Sequence, residues 1–255
     1  MKKVSIITAT YNSAKTISDT LNSIINQSYL DIELVIVDGA SKDNTLEVIN
    51  SLLFNTNREK VIVSESDKGL YDALNKGLSL ASGDIIGFLH SDDIFASDKT
   101  LYNIMHVFMS SNPDVIYGDI EILKNIDDLR PKRKWISRKF DSSLLALGWM
   151  PAHTSMFVKS SLYLEFGVFD TSFSISGDYE FILRIFKNRE LKSYYLPETL
   201  IKMLHGGAST KNFRSFVLKS IEDLRALKIN KIRFPFLVLS AKKISKITQF
   251  NIFKK

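Results

Sequence analysis

The chain has 255 residues, 45% of them hydrophobic, and a formal net charge of +6. That length supports one sizeable α/β core with a small appendage. The absence of cysteine excludes a disulfide framework and a cysteine metal site, and it suits a reducing compartment. No run of about 18 apolar residues is present, so no bilayer-spanning helix is expected. The start, Met1-Lys2-Lys3-Val4-Ser5-Ile6-Ile7-Thr8, does not read as a signal peptide, because its apolar stretch is too short.

The first strand is expected over Lys3 to Ala9, rich in Val, Ile and Thr, and Thr10-Tyr11-Asn12-Ser13 breaks it. Ser13 is placed to cap a helix whose apolar positions Ile17, Leu21, Ile24 and Ile25 recur at helical spacing. Ile32 to Val37 reads as a second buried strand ending in Asp38-Gly39-Ala40-Ser41, and Asp43-Asn44-Thr45 opens a second helix. A short strand over Lys60 to Ser64, a helix over Gly69 to Leu80 and a strand over Asp84 to Leu89 follow. Strands alternating with helices predict a mostly parallel central sheet with helices on both faces, an α/β fold.

Three strand ends carry polar groups: Thr8 and Thr10, Asp38, and Asp92 with Asp93. In a doubly wound sheet these ends share one rim, where such sheets bind ligands. The fourth strand passes at once from Ile85-Ile86-Gly87-Phe88-Leu89 to His90-Ser91-Asp92-Asp93. Adjacent carboxylates repel unless something positive sits beside them, and a divalent cation carrying a phosphate is a natural candidate. A solvated turn or a helix cap is the other reading of the same residues. No G-x-G-x-x-G follows the first strand and no G-x-x-x-x-G-K-[ST] occurs, so dinucleotide dehydrogenases and P-loop enzymes lose their main support.

Beyond Asp93, a helix is expected from about Asp98 to Ser110, then strands over Val115 to Ile120, Thr154 to Val158 and Leu191 to Leu196. A basic cluster, Arg130-Pro131-Lys132-Arg133-Lys134, lies between the first two of these strands. Gly177-Asp178-Tyr179-Glu180 opens a helix to about Asn188, with Asp178 in the first turn where the helix dipole favours a carboxylate. From Lys211 to Lys255 there are 12 Lys/Arg against 2 Asp/Glu, which leaves 22 basic and 26 acidic groups in the first 210 residues. The body is mildly acidic and the tail strongly basic, which calls for an anionic partner. Phe216, Val217, Ile221, Leu224 and Leu227 suit an amphipathic helix, and Phe234 to Leu239 is apolar between lysines and arginines. Basic plus apolar is an interfacial membrane signature; a tail packed on the domain or on a second subunit gives the same pattern. The division expected is 1–210 for the catalytic domain and 211–255 for a basic amphipathic helical extension.

Several ordered motifs resemble one family. Ser5-Ile6-Ile7-Thr8-Ala9-Thr10-Tyr11-Asn12-Ser13, Val35-Ile36-Val37-Asp38-Gly39-Ala40-Ser41-Lys42-Asp43-Asn44-Thr45, Ser66-Asp67-Lys68-Gly69-Leu70-Tyr71-Asp72-Ala73-Leu74-Asn75-Lys76-Gly77, the fourth-strand stretch and Ser176-Gly177-Asp178-Tyr179-Glu180-Phe181 are similar to family 2 glycosyltransferases of GT-A fold. The match runs from about residue 3 to 209. Within the family the pattern resembles bacterial O-antigen (lipopolysaccharide) glycosyltransferases that add glucose to a polyprenyl-diphosphate-linked N-acetylhexosamine.

The resemblance implies that Thr8, Thr10, Tyr11 and Asn12 line the nucleotide pocket. Asp38 would bond uracil or ribose, with Ser41 and Asp43 nearby, and Asp67 and Lys76 would complete the nucleotide and diphosphate contacts. Asp92 would bind Mn²⁺ or Mg²⁺, with Asp93 beside it, and His205 would stand near the metal or diphosphate. The family's Asp-x-Asp signature begins here with His90, followed by Ser91, which puts the usual ribose contact in question. Asp178 would be the general base of a single, inverting displacement. Glu180 and Arg184 would orient the acceptor or hold Asp178, and His153 would lie near the acceptor.

The implied activity is transfer of a hexose from a UDP-sugar, glucose first, in β-linkage (β-1,3 among the candidates). Implied with it are no nucleic-acid partner and peripheral attachment of a cytoplasmic enzyme to the inner face of the cytoplasmic membrane. A galactosyl- or N-acetylhexosaminyltransferase of the same kind, a nucleotidyltransferase and a non-catalytic nucleotide- or membrane-binding module are the rivals. Thr8 to Ser13 lacks the Gly- and Lys/Arg-rich loop a nucleotidyltransferase would need. Retained Asp92, Asp93 and Asp178 speak against a non-catalytic module. The oligomeric state stays open.

Overall fold

The computed structural model describes residues 2–54, 56–125, 128, 130–204 and 213–247. Nine strands form one sheet in the order β3-β2-β1-β4-β8-β6-β9-β5, with β7 on the side of β6. The first four in that order are β3 (Glu59–Ser64), β2 (Ile32–Asp38), β1 (Val4–Thr10) and β4 (Ile85–Phe88), and their pairings with one another are parallel. Every residue of β1, β2 and β4 is buried, as expected of parallel strands covered on both faces.

The other half is mixed. β8 (Met156–Lys159) runs antiparallel to both β4 and β6 (Val115–Leu123), while β9 (Ser193–Leu204) runs parallel to β6. Two three-residue strands, β5 (Asp93–Phe95) on β9 and β7 (Arg133–Trp135) on β6, pair antiparallel. Both were absent from the sequence expectation, because three residues carry no readable alternation. β9 is longer than the expected Leu191 to Leu196. Pro197 interrupts the apolar run, and the ladder resumes beyond it after register shifts around Asp119.

Side-chain alternation divides the core between the two faces. Val4, Ile6, Leu34 and Ile36 pack with Ile17, Leu21 and Ile24 of α1 (Ile17–Ile25) and with Ile49 and Leu53 of α2 (Thr45–Leu53). That face also receives α4 (Thr100–Ser111) through Leu101, Ile104, Met105 and Phe108. Ile7, Val35 and Val37 face the opposite way, onto α3 (Leu70–Leu80), the short α5 (Ser160–Phe166) and α6 (Gly177–Phe186). Ala226 and Leu227 of α7 (Phe213–Ile229) and Val238 of α8 (Pro235–Ile247) belong to this second cluster. The described part of the basic tail is therefore packed against the body. Ser13 does not cap α1: its hydroxyl bonds Ser91 at 2.9 Å, and the helix begins after Thr16.

At the strand starts a buried carboxylate locks the sheet. Glu33 of β2 accepts from the Ser5 hydroxyl of β1 and from the Ser82 amide and hydroxyl, 2.8 and 2.7 Å away, just before β4. Burial opposes its charge, but the bonds from Ser5 and Ser82 hold its pKa below the ordinary 4.5. A lowered folded pKa means that Glu33 stabilises fully above the unfolded value and ceases to do so as the pH falls through the folded value. Glu33→Gln should lower stability at pH 7 by about 1–3 kcal/mol, the cost of badly partnered buried groups. In urea titrations the gap to wild type should shrink below pH 4.5; a gap that persists at pH 3 would contradict this account.

Candidate active site

The rim at the carboxyl ends of β1 to β4 is assembled by register. Thr10 stands beside Asp38, and Asp38 beside Ser64. The fully buried Asp38 carboxylate accepts from the Ser41 hydroxyl at 2.5 Å, the Ser41 amide at 2.9 Å and the Ser64 hydroxyl at 2.7 Å. These bonds hold the loop after β2. The Ser41 hydroxyl also receives the Asn12 amide at 2.8 Å, and the Asn12 side chain receives the Lys42 amide at 2.8 Å. Asn12 and Ala40 adopt φ of 50° and 58° to make this interlock, the left-handed region that Asn tolerates best after Gly.

Asp43 completes the loop pair. It accepts from the Thr45 hydroxyl and amide at 2.5 and 3.1 Å and from the Ala14 amide at 3.2 Å, and the Thr45 bond holds its pKa below the ordinary range. Asp67 accepts the Gly69 amide at 2.8 Å and lies so close to Gly39 that a Cβ there would stand 2.5 Å from its carboxylate oxygen. Lys76 pairs with Glu65 at 2.8 Å and bonds the Ser66 carbonyl at 2.8 Å, so it braces the loop carrying Asp67. Tyr11 is 57% exposed at the rim. The hydroxyls of Thr8 and Thr10 are buried without a hydrogen-bond partner among the described residues.

Beyond β4 the two adjacent acids part company. Asp92 is half-buried, whereas Asp93 is 1% exposed and neither of its carboxylate oxygens has a hydrogen-bond partner among the described residues. Burial, and then the charge of Asp92, push the Asp93 pKa well above the ordinary carboxylate value. Its backbone is fixed by its amide to the His90 carbonyl at 3.0 Å and by the Thr20 hydroxyl on its own carbonyl at 2.8 Å. An orphaned buried carboxylate beside a second acid fits a cation. Among the described residues no group of three or more His, Cys, Asp or Glu is arranged to hold one. A cation here would take few protein ligands and fill its shell from a bound diphosphate, as Mg²⁺ commonly does. His205 lies outside the described residues.

Asp178 sits in the first turn of α6. His153 Nδ1 is 3.1 Å from its Oδ2, and His153 Nε2 is 3.0 Å from His90 Nε2. A hydrogen-bond chain thus runs from the catalytic candidate to the end of β4. Tyr71 of α3 meets the other side: its hydroxyl lies 3.2 Å from Asp178 Oδ1, receives the Asp178 amide at 3.2 Å and bonds the Ile175 carbonyl at 2.7 Å. This approach requires glycine at 177, where a Cβ would stand 2.8 Å from the Tyr71 ring.

Burial opposes the charge on Asp178, but His153 in contact, with Lys219 and Lys242 further off, holds its pKa far below the ordinary value. Burial and His153 lower the His90 pKa to about 3, so His90 is neutral at neutral pH. One proton therefore lies between the two Nε2 atoms. When His153 is neutral and donates through Nδ1 to Asp178, its Nε2 must accept from His90.

Of the residues expected at the site, the structure gathers His90, His153 and Asp178 in one chain, and Asn12, Ser41, Asp38, Asp43, Asp67 and Ser91 in the loops of the rim. Glu180 and Arg184 are engaged with each other at 2.5 Å. Arg184 also bonds the Phe166 and Val168 carbonyls at 2.6 and 3.1 Å, and Glu180 receives Asn230 at 3.3 Å. Their bonds fasten α6 to the segment before it and to α7 rather than to Asp178. Tyr71 was missed although its motif was read, because its contact with Asp178 lies 107 residues away in sequence. Glu222 was missed too, although Glu222 and Asp223 are the tail's two acids and both are buried.

Residues 5–170 match the family model described as glycosyl transferase family 2. A PGL/p-HBAD biosynthesis glycosyltransferase of Mycobacterium tuberculosis is 32% identical over 193 residues, covering 75% of this chain and 73% of that protein. Staphylococcus aureus TarS in complex with UDP-GlcNAc superposes with a TM-score of 0.69 at 19% identity, covering 88% of this chain and 66% of that one. A Pyrobaculum calidifontis mannosyltransferase in complex with GDP-Man and Mn²⁺ does so with a TM-score of 0.65 at 20% identity, covering 94% and 69%. The parallel half-sheet, the rim of Asp38 and Asp92, and these matches lead to one conclusion: the chain belongs to glycosyl transferase family 2 and is a glycosyltransferase of GT-A fold.

Proposed function

We propose that the protein is an inverting, divalent-metal-dependent hexosyltransferase. It moves glucose from UDP-glucose, in β-linkage, to an N-acetylhexosamine carried on a polyprenyl diphosphate in surface-polysaccharide (O-antigen) synthesis. The observation that carries the chemistry is the Asp178–His153–His90 chain, which holds an ionised carboxylate at a fixed place relative to the end of β4. The solved structures of TarS with UDP-GlcNAc and of the mannosyltransferase with GDP-Man and Mn²⁺ support a nucleotide-sugar donor and a cation.

In this reading Tyr11, Asn12, Asp38, Ser41, Asp43 and Asp67 shape the nucleotide pocket, with Thr8 and Thr10 beneath it, Lys76 behind the Asp67 loop and Ser91 pinned to Ser13. Asp92 and Asp93 would hold Mn²⁺ or Mg²⁺, which when bound neutralises the leaving diphosphate. Asp178 takes the proton of the acceptor hydroxyl as that oxygen attacks the anomeric carbon. The bond from that carbon to the β-phosphate oxygen breaks, and its electron pair leaves with UDP. His153 keeps Asp178 charged and aimed, and Tyr71 holds the backbone beneath it.

The acceptor assignment is supported by the tail. Phe216, Val217, Ile221, Phe234, Phe236, Leu237 and Ile244 are exposed on α7, α8 and their junction. Lys243 lies 5.0 Å from the Phe216 ring and Lys228 5.5 Å from Phe236. An apolar surface set among lysines suits the anionic inner face of the cytoplasmic membrane, where a lipid diphosphate would be met. No helix among the described residues is long and apolar enough to cross a membrane. A cleft of about 400 Å³ between β7, the 3₁₀ turn Ser142–Leu147 and α8 is lined by Trp135, Arg138 and Trp149, aromatic and cationic groups suited to an acceptor saccharide or its diphosphate.

Purified protein with UDP-glucose, Mn²⁺ and a synthetic diphosphate-lipid N-acetylhexosamine should form a product one hexose heavier. Asp178→Asn should abolish turnover while UDP binding persists. Absence of transfer from any UDP-sugar would overturn the assignment, and full activity in Asp178→Asn would remove it as base. His153→Phe removes the foremost of the groups that lower the Asp178 pKa and leaves the burial that raises it. Its kcat should fall by about 10²-fold or more, and the acid limb of its pH–kcat profile should move to higher pH. An unmoved acid limb would contradict the dyad.

A further inference from the structure

The N-terminus of α6 has no side-chain cap of its own: Ser176 occupies the cap position without a side-chain capping bond. The backbone donors just before the helix go instead to the tail. Glu222 of α7 accepts the Ser174 amide through Oε1 and the Ile175 and Ser176 amides through Oε2, all at 2.8 Å. Glu222 is 6% exposed. Three successive amides converging on one carboxylate form a strong charge-assisted anchor. A negative charge at this helix end is also favoured by the dipole.

Glu222 is one part of a wider grip. Lys219 bonds the Ser176 hydroxyl at 3.4 Å, and Arg225 bonds the Ser172 carbonyl and hydroxyl at 3.3 and 2.6 Å. Lys242 of α8 pairs with Asp223 at 3.1 Å and sets its ammonium 2.9 Å from the centroid of the Tyr179 ring. Residues on both sides of Asp178 are thus held by α7 and α8. The Tyr71 hydroxyl meets the same segment from the opposite side, at the Ile175 carbonyl.

We propose that Glu222 is a positioning residue for glycosyl transfer: by fixing the backbone of residues 174–176 it aims the Asp178 carboxylate, so the C-terminal helices are part of the catalytic apparatus. This rests on the reading of Asp178 as general base. Among the described residues Glu222 bonds the Ser174, Ile175 and Ser176 amides and none of the residues assigned to nucleotide or metal, so its loss acts on the proton-transfer geometry and leaves donor binding in place. Glu222→Gln keeps the shape but turns an amide NH₂ toward backbone donors. Glu222→Asp keeps the charge and withdraws it by one methylene.

The test uses the full chain with UDP-glucose, Mn²⁺ and the diphosphate-lipid N-acetylhexosamine. Glu222→Gln should lower kcat by about 10²-fold, the scale of a 1 Å misplacement of a reacting group. Its donor KM and its calorimetric Kd for UDP should stay within about twofold, against the tenfold that 1.4 kcal/mol would bring. Glu222→Asp should recover part of kcat, and amide exchange at 174–178 should rise in both variants. Wild-type kcat in Glu222→Gln, or equal loss of donor affinity and kcat, would overturn the role. Should Glu222→Gln fail to fold, Glu222→Asp is held to the same split. Asp178→Asn run in parallel separates the two readings. Activity retained there ends the base assignment. A dead Asp178→Asn beside a fully active Glu222→Gln ends the positioning role alone.

Discussion

The hydrogen-bond chain Asp178–His153–His90 is the constraint on which the site depends. It joins the carboxyl end of β4 to the first turn of α6, elements 63 and 25 residues to either side of His153 in sequence. The antiparallel pairing of β4 with β8 makes this possible, since it brings the 3₁₀ turn His153–Ser155, which leads into β8, beside the strand end that His90 follows. Burial and His153 keep His90 neutral at the end of the chain beside β4. Asp178 stays charged in a site whose burial opposes its charge. In the proposed role of general base, a carboxylate already ionised and already aimed would need no rearrangement when an acceptor hydroxyl arrives.

Around this chain the molecule divides its charges by burial. Asp38 is buried and fully partnered, so it organises loops. Asp93 is buried and has no hydrogen-bond partner among the described residues, so added positive charge beside it would be favourable. Asp178 is partnered on both oxygens, by His153 and Tyr71. The same logic reaches the tail, whose two acids are spent inward on Ser174–Ser176 and on Lys219 and Lys242, while much of its apolar surface faces out. One pair of helices therefore exposes apolar residues and also fastens α6 and the segment before it.

Much of the nucleotide half was legible in the sequence because parallel buried strands leave long apolar runs that end abruptly in polar residues. Asp38 and Asp92 could be placed on one rim from topology alone. The second half was read less well. β5 and β7 are too short to show a period, and Pro197 hides the continuation of β9. Glu180 and Arg184 carry suitable chemistry at suitable spacing, yet their i,i+4 geometry lets them satisfy each other. Tyr71 and Glu222 could not be assigned from the sequence because their roles arise from contacts across 107 and 46 residues. The one sequence signal for Glu222 was its oddity, an acid pair in a basic tail.

The central claim is a single displacement in which one carboxylate serves the acceptor and no residue of the chain bonds covalently to the sugar. The stereochemistry of the product tests it most directly. Transfer from α-linked UDP-glucose, followed by NMR of the purified product before any anomerisation, should give a β-glycosidic linkage with a large coupling between the first two ring protons. An α-linkage would require retention at the anomeric centre and would contradict the account.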